Sequence, residues 1–573
     1  MARADAKVSE LVEMIERGEI RLPEMQRKYV WKASQVRDLF DSLYKGYPSG
    51  AILLWDATED VPLQQFAVGQ KDNPIHSAKL LLDGQQRLTS LSAVLRGEPV
   101  TVRRRKRPIE LLFNLDHPEK VDEFDEIDDD DLIEDDNDFV DEDDDENFFS
   151  DDDIDEVQKR IRNSTFIVRA FNMDNYPNWI PVSEVFTSSD NTKIIKSAGV
   201  SNMDDPRFTL YNDRLTRLRA IKDYQYRLDI LEKNLTYDEV TEIFVRVNSL
   251  GTRLRGSDLA LAQITAKWRG SLSTFQEFEN KCVEEKFPLE IGLIVRNLVV
   301  TATSQSKFKT VTNISKEKLQ ENWDISKKGI EFALNFLKYN CGITSPTLYS
   351  SSLLIANISY VATKNNFKLT NQQSEKLKQW TLIANAKGRY SRSSSESILD
   401  QDIAVTRDGG SVDDLISKLE SQFGRLDIQA TDLVGSNQRS SLFRTLFIAL
   451  EKDGAQDWAT SLKISLDSSG LQNKLQYHHI FPKAVLKSKF KKREIDDLAN
   501  LAFIGGKTNR EISNKEPIKY LPKMIKEYGK DVFVKHLIPL DEELYKIENY
   551  PKFLEVRRGL ITKRLNEILL NGN

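Results

Sequence analysis

The stretch His478-His479-Ile480-Phe481-Pro482 places two of the chain's five histidines side by side, followed closely by a proline. Leu475 to Tyr477, just before it, has the character of a β-strand, whereas Pro482 discourages a paired strand from continuing. Neighbouring side chains on a regular strand point to opposite faces. Both histidines can therefore serve one site only if the strand gives way to a loop here, which the proline favours.

A second strand and a helix are expected after this stretch. Asp497 to Ile504 is an apolar strand candidate that carries one amide, Asn500. Gly505 to Arg510 has the composition of a turn that leads into a helix, with Asn509 in the first helical turn. The order of histidine pair, strand with Asn and helix with Asn predicts a β-β-α unit.

These residues resemble the HNH-like (ββα-metal) nuclease domain of GmrSD-type restriction enzymes, through His478 to Pro482, Asn500-Leu501 and Thr508-Asn509. The resemblance implies that His479 is the general base that deprotonates the attacking water, and that His478 and Asn509 bind a metal. It also implies that Asn500 orients the loop or the base histidine. Like many relatives, this chain has Asn rather than His at the third motif position.

The chemistry of phosphodiester cleavage agrees with that resemblance. A nucleophile must be activated near neutral pH, which suits histidine with its ordinary pKa of about 6.5, and a cation must neutralise the developing charge. Nearby basic side chains can bind flanking phosphates: Lys487, Lys491, Lys492 and Arg493. A histidine pair alone is also compatible with a packing or surface feature, and the ordered motif favours the nuclease.

The composition limits which kinds of protein this chain can be and which metals it can bind. The chain has 573 residues, which suggests roughly three to four domains. Cys282 and Cys341 are its only cysteines, which excludes a disulfide scaffold and a four-cysteine zinc site and favours magnesium or manganese. No run approaches the ~20 apolar residues that span a bilayer, and the N-terminus lacks the apolar core of a signal peptide, so a cytoplasmic protein is expected.

The net charge of −7 conceals a basic chain. Asp122 to Glu156 holds 23 acidic residues and no Lys or Arg, and removing them leaves a charge of +16 on the rest. A basic remainder suits a polyanionic partner such as DNA. The acidic run is expected to be a disordered insertion. A sharper alternative is a DNA mimic that covers the basic cleft and restrains the enzyme.

A second motif, Asp83-Gly84-Gln85-Gln86-Arg87, follows an apolar strand candidate and opens a helix. Gly84 permits a tight turn, and the N–H groups of a helix N-terminus favour an anion. Arg87 can add a bidentate phosphate contact, and Asp83 can hold a divalent ion. A strand–turn–helix with one glycine is weak by itself and is equally compatible with a capped helix.

Two further segments favour the phosphate-binding interpretation: Pro23 to Trp31 and Phe244 to Thr252 each place Arg beside an amide side chain. Together with the Asp83 motif they closely resemble the N-terminal domain of GmrSD-type enzymes, a ParB/sulfiredoxin-like nucleotide-binding fold. The resemblance covers about 1–110 and 160–265. It implies a pocket that binds and helps to hydrolyse a nucleoside triphosphate (GTP, ATP or CTP), formed by Asp83, Gly84, Gln85, Gln86 and the catalytic Arg87, with Gln26, Arg27, Arg246 and Asn248 as further candidates.

Two aromatic residues beside that pocket have open roles. Tyr29 and Trp31 can stack on a base or belong to the core, and the core is favoured for Trp31. The chain lacks a Gly-x-x-x-x-Gly-Lys-Ser/Thr loop, so a P-loop NTPase is not expected.

The predicted fold is an α+β multidomain protein with alternating elements near its start. Helices are expected at Val8 to Arg17 and at Ser34 to Tyr44, with Ser34 as N-cap, and strands at Ala51 to Trp55 and Lys79 to Asp83. The predicted domains are 1–265, an α/β nucleotide-binding domain with the insertion at about 122–156; 266–430, a helical coupling domain; and 431–573, the endonuclease domain.

Two functions from different classes remain. One is a nucleotide-regulated, metal-dependent endonuclease that restricts modified phage DNA, a possible homo-oligomer without a membrane partner. The other is a nucleotide-regulated DNA-binding sensor whose nuclease is weak or idle. Intact His478, His479 and Asn509 favour the first.

Overall fold

The computed structural model describes residues 2–26, 29, 31–57, 61–64, 66, 68–70, 78–99, 108–118, 163–169, 176–250, 255–391, 394–466 and 475–571, without the side chains of 238, 248–250 and 571. These residues form two compact units, of which the first ends at Leu272 and the second begins at Ser273. The acidic run at 122–156 and Arg27 lie outside the described residues.

A six-stranded sheet organises the first unit, in the order β1-β9-β3-β5-β2-β4. Parallel pairs (β9 with β3, β5 with β2) alternate with antiparallel ones. The strands are β1 (Ala2–Lys7), β2 (Ile20–Pro23), β3 (Ile52–Asp56), β4 (Leu63–Gln64), β5 (Lys79–Asp83) and β9 (Gln225–Leu231). A small antiparallel sheet has the order β7-β6-β8, with β6 (Leu111–Asn114), β7 (Phe166–Val168) and β8 (Trp179–Pro181).

Eight α-helices of the described residues lie entirely within this unit. They are α1 (Val8–Glu16), α2 (Ala33–Lys45), α3 (Gln85–Arg96), α4 (Val182–Thr187), α5 (Asn191–Ser197), α6 (Pro206–Arg219), α7 (Tyr237–Leu250) and α8 (Gly256–Lys267). Helix α1 buries Val8, Leu11, Val12 and Ile15, the spacing that lines one face of a helix.

Both faces of the large sheet are covered, which explains why its central strands are continuous apolar runs. On β3, Leu54 belongs to the core that α1, α2 and α3 complete, whereas its neighbour Trp55 belongs to a second core with α7 and α8. Leu81 and Leu82 on β5 divide in the same way. The alternation of side chains along a strand supplies both cores from one apolar stretch.

The early sequence predictions are confirmed, with shifts of a few residues. The strand expected at 51–55 is β3, and the strand at 79–83 is β5. The N-cap at Ser34 was wrong, because α2 already begins at Ala33 and Lys32 occupies the cap position.

The second unit is mainly helical, which agrees with the mixed α+β multidomain class. Its helices are α9 (Ser271–Glu284, begun in the first unit), α10 (Ile291–Thr303), α11 (Lys316–Tyr339), α12 (Leu353–Lys364), α13 (Asn371–Ala386), α14 (Ser395–Arg407), α15 (Val412–Phe423), α16 (Ser441–Lys452), α17 (Lys483–Leu486), α18 (Lys492–Ile495), α19 (Gly506–Ile512), α20 (Pro517–Tyr528), α21 (Lys530–Lys535) and α22 (Tyr550–Asn571). Two antiparallel strands, β10 (Leu475–His479) and β11 (Leu501–Gly505), form its sheet. None of the described helices combines the length and apolarity needed to cross a bilayer.

Candidate functional site

Strands β10 and β11 and helix α19 form a β-β-α arrangement around the histidine pair, with the short helices α17 and α18 between the two strands. His478 pairs with Ala502 and His479 with Leu501, the last pair of the ladder. Strand β10 therefore ends at the second histidine, and Pro482 follows in the connection to α17. Asn500 does not lie on β11 as expected but in the short 3-10 turn immediately before it.

The structure brings His478 and Asn509 into direct contact. His478 Nδ1 lies 2.7 Å from Asn509 Oδ1, and both side chains are buried. His478 Nε2 lies 3.4 Å from the hydroxyl of Tyr520, which itself donates to the Ile480 carbonyl at 2.9 Å. Because the tyrosine proton is used in that bond, the hydroxyl oxygen can accept a hydrogen bond from Nε2 once Nδ1 binds a cation and the ring proton lies on Nε2, the arrangement that orients a metal-ligating histidine.

This pair fits a divalent cation in two respects. Burial lowers the pKa of His478 to about 3, so the ring is neutral near pH 7, as a ligand must be. The 2.7 Å separation is close to the roughly 3 Å edge of an octahedron with magnesium–ligand bonds of about 2.1 Å. Within the described residues no group of three or more His, Cys, Asp or Glu could hold a metal, so water and substrate oxygens would supply the other ligands.

His479 has a different partner from His478. Its Nε2 lies 3.2 Å from Asp496 Oδ1, and the two side chains are 6% and 14% exposed. Burial acts to raise the pKa of Asp496, but the hydrogen bond and charge of His479, with Lys483 and Lys492, outweigh burial and lower it. Since the carboxylate only accepts, Nε2 donates in this hydrogen bond, and Nδ1 is the ring nitrogen assigned to accept a proton from water.

Asn500 organises the loop that follows the histidines. Its Oδ1 accepts from the Phe481 N–H at 2.8 Å, and its Nδ2 donates to the carbonyls of Phe481 at 3.1 Å and Ile495 at 3.0 Å. The Asn500 carbonyl also accepts from the Ile480 N–H at 2.8 Å. The fully buried amide thus joins the chain just after His479 to the segment just before Asp496.

Four further residues support this arrangement, and sequence reasoning missed them. Gln476 accepts from Asn509 Nδ2, and Asp457 accepts from Gly505 N–H and from the Thr508 hydroxyl at the start of α19. Arg557 on α22 donates to the carbonyls on both sides of Asn500, at Ala499 and Leu501. Asp496 was also missed. Of these, only Gln476 carried a signal, as a polar residue two positions before His478 on one strand face.

A basic surface segment, defined as residues 483–493, follows the histidine motif. It holds six Lys or Arg residues and no acidic residue, and all of its cations except the half-buried Lys483 are exposed: Lys487, Lys489, Lys491, Lys492 and Arg493. The segment ends three residues before Asp496. Such a segment favours contacts with phosphates.

The second candidate site lies in the first unit, where β5 passes into α3. Gly84 has a φ of +97°, a conformation that other residues rarely adopt. Arg87 donates to the carbonyl of Ser49, to that of Ala51 at 2.8 Å and to Asp83 at 3.1 Å. Its guanidinium therefore braces the 49–51 loop against the start of α3.

Two glutamine side chains of this site form hydrogen bonds with backbone groups. Gln26 donates to the carbonyls of Leu81 at 2.8 Å and Leu82 at 2.6 Å, and the Trp31 N–H donates to Gln86 at 3.1 Å. Gln85 is buried beside them on α3. The 26–31 segment and the Asp83 motif thus come together, and Trp31 packs against the core as expected.

The structure describes the third segment only as far as Leu250. Among the described contacts Arg246 forms an exposed ion pair with Glu242, one turn earlier on α7. Asn248 lies on the same helix, but its side chain is outside the described residues. The assignment of both to the pocket stays a prediction.

The fold and sites define a multidomain α+β protein with a strand–turn–helix motif in one unit and a histidine–amide site in the other. Residues 8–265 match the family model described as the N-terminal domain of the GmrSD restriction endonuclease. The match shows that residues 8–265 are similar to the N-terminal domain of this family.

A full-length relative has the same extent as this chain. An uncharacterised protein of Methanocaldococcus jannaschii is 24% identical and covers 98% of both chains. The similarity thus extends beyond residue 265 and includes the histidine–amide unit.

Proposed function

We propose that the protein is a nucleotide-regulated, metal-dependent endonuclease that restricts modified phage DNA. The observation that carries the proposal is the β-β-α arrangement of residues 475–512. In it His478 Nδ1 lies 2.7 Å from Asn509 Oδ1, and His479 follows His478 on the strand. The match of residues 8–265 supports the restriction class independently.

In the proposed reaction His479 removes a proton from the attacking water through Nδ1, while Asp496 holds the opposite edge of the ring. The water oxygen attacks phosphorus and the bond to the 3′ oxygen breaks. A bound magnesium or manganese ion would neutralise charge on the phosphate and leaving oxygen. His478 and Asn509 would hold that ion, and Asn500 would fix the loop that carries the base.

The basic surface segment would hold the DNA backbone beside this site. Its exposed cations lie on the connection that follows α17 and on the short helix α18. Phosphate contacts of this kind position the duplex but carry no base information. We therefore assign recognition of the modification to another part of the chain.

In the first unit, the start of α3 would bind the triphosphate. The N–H groups after Gly84 are the proposed phosphate contacts, with Gln85, Gln86 and Arg87 around them, and the Asp83 carboxylate would hold a divalent ion. Nucleotide turnover would license cleavage, which would spare unmodified cellular DNA. The unit's mixed sheet and the family match support this assignment.

The test is cleavage of modified and unmodified phage DNA with magnesium or manganese, with and without GTP, ATP or CTP. We expect His479→Ala to reduce cleavage at least about 100-fold, the usual contribution of a general base. His536→Gln, at a buried histidine of the same unit outside the site, is the matched control. If wild type cuts no substrate, the DNA-binding sensor is the better description; if His479→Ala cuts like wild type, the assigned base is wrong.

A further inference from the structure

Gln476 is a fully buried polar residue that lies two positions before His478 and therefore on the same face of β10. Its Oε1 accepts a 3.0 Å hydrogen bond from Asn509 Nδ2. Its own Nε2 has no hydrogen-bond partner within the described residues. An unpartnered buried donor costs free energy. The favourable interaction of the Gln476 side chain with the site is therefore the hydrogen bond that its oxygen accepts.

The hydrogen bond to Gln476 determines which end of the Asn509 amide faces His478. A carboxamide has one oxygen, which can ligate a cation, and one NH₂ group, which cannot. With Nδ2 held by Gln476, Oδ1 points at His478 Nδ1, 2.7 Å away. A rotation of the amide by half a turn would direct its two N–H donors into the same space.

The orientation of the Asn509 amide by Gln476 matters most once a cation is bound. Without metal, the His478 Nδ1 proton can itself hold Oδ1 in place by donating to it. A ligating Nδ1 has no proton, so that restraint disappears when the ring binds metal. The hydrogen bond to Gln476 is then the one that keeps the oxygen turned toward the cation.

We propose that Gln476 is a positioning residue that orients the Asn509 carboxamide so that its oxygen binds the divalent cation. The inference rests on the proposed function, since it deepens the same metal site. It assigns a role to a residue outside the histidine motif. Such supporting partners typically change metal affinity by about 10- to 100-fold.

The test measures Mn²⁺ affinity of the full-length protein without nucleotide or DNA, by electron paramagnetic resonance of free Mn²⁺. The relevant site is the one that His478→Ala removes. We expect Gln476→Met, which has similar volume but no strong acceptor, to weaken that site about tenfold or more. Tyr477→Phe, on the other face of the same strand, is the matched control and keeps wild-type affinity.

A double-mutant comparison separates orientation from general support of the fold. In an Asn509→Asp background both terminal atoms are oxygens, so no orientation is needed and Gln476→Met should cost less than about threefold in affinity. Equal losses in both backgrounds, or no loss with Asn509 present, overturn the inference. If Gln476→Met does not fold, Gln476→Glu decides, because it keeps an acceptor: retained affinity supports the role and a tenfold loss overturns it.

The same titration distinguishes failure of the inference from failure of the proposed function. If wild type binds Mn²⁺ at no site that depends on His478, the metal site and the inference fall together. If the His478-dependent site exists and Gln476→Met leaves it unchanged, only the positioning role is wrong.

Discussion

At the residue scale, the two adjacent histidines have different surroundings. His478 contacts an amide and a phenol, and burial lowers its pKa so that the ring is neutral and suited to bind a cation, whereas His479 Nε2 faces the Asp496 carboxylate. The alternation of side chains along β10 accounts for this separation. One strand thereby provides two chemical environments at consecutive positions.

Asn500 permits a sharp prediction at the same scale. We expect Asn500→Asp to lower the free energy of unfolding by roughly 3 kcal/mol, because a carboxylate oxygen would replace the donor that now serves two carbonyls. The rate of DNA cleavage should also fall, since the Asn500 amide holds the loop after His479. Thermal and denaturant unfolding measure the first effect, and Asn514→Asp, the same change at an exposed position, should leave stability unchanged.

Arg87 is the residue of the first unit whose proposed role is most directly testable. We expect Arg87→Ala to reduce nucleotide hydrolysis roughly 10- to 100-fold or more, because it removes a charged donor beside the proposed phosphates and loosens the 49–51 loop. Arg96→Ala, at the other end of α3, controls for loss of a cation from the helix. Unchanged turnover in Arg87→Ala would place the catalytic centre elsewhere.

At the scale of elements, short helices around the β-β-α arrangement are joined to it by buried polar groups. His536, directly after α21, donates through Nε2 to the Gln456 carbonyl at 2.8 Å, and burial lowers its pKa to about 4. Arg557 on α22 donates to the His536 carbonyl as well as to both carbonyls beside Asn500. The final helix and α21 thus stabilise the same loop that Asn500 holds.

The neutral, buried His536 predicts a specific dependence of stability on pH. In the unfolded chain histidine titrates near about pH 6.5, whereas the folded form resists protonation until about pH 4. The contribution of neutral His536 to the free energy of unfolding is therefore complete above pH 6.5. It is lost as the pH falls toward 4, at about 1.4 kcal/mol per pH unit. His536→Gln keeps a donor for the Gln456 carbonyl but cannot titrate.

The measurement is the unfolding transition of wild type and His536→Gln at pH 7.5 and pH 5.0. We expect the free energy of unfolding to fall less for His536→Gln than for wild type between pH 7.5 and pH 5.0. A difference that stays constant between the two pH values would contradict a neutral His536.

At the scale of the whole molecule, charge is distributed very unevenly along the chain. The acidic run at 122–156 carries 23 negative charges, while the basic surface segment at 483–493 carries six positive ones and no negative charge. We expect deletion of 122–156 to raise nonspecific DNA affinity and to steepen its decrease with salt, if the run competes with DNA for basic surface. Electrophoretic mobility shifts over a salt series measure both, and unchanged affinity would identify a plain linker.

The order of the elements could be predicted from the sequence because it depends on local patterns. Apolar runs predicted β3 and β5, helical spacing predicted α1, and the proline predicted the end of β10 close to His479. The contact of His478 with Asn509 followed from the resemblance to a nuclease motif. The shifted start of α2 and the turn at Asn500 show that element ends depend on caps and turns that composition specifies poorly.

The sequence by itself determined that a histidine pair, a strand, a turn and a helix follow one another, because each depends on neighbours within a few residues. Only the tertiary structure decided that Asp496, Gln476, Asp457 and Arg557 support that motif. These partners come from β10 itself, from loops and from the final helix, up to 58 positions away from the backbone atom they contact. Their proximity arises from the burial of apolar surface along the whole unit, which no local pattern records.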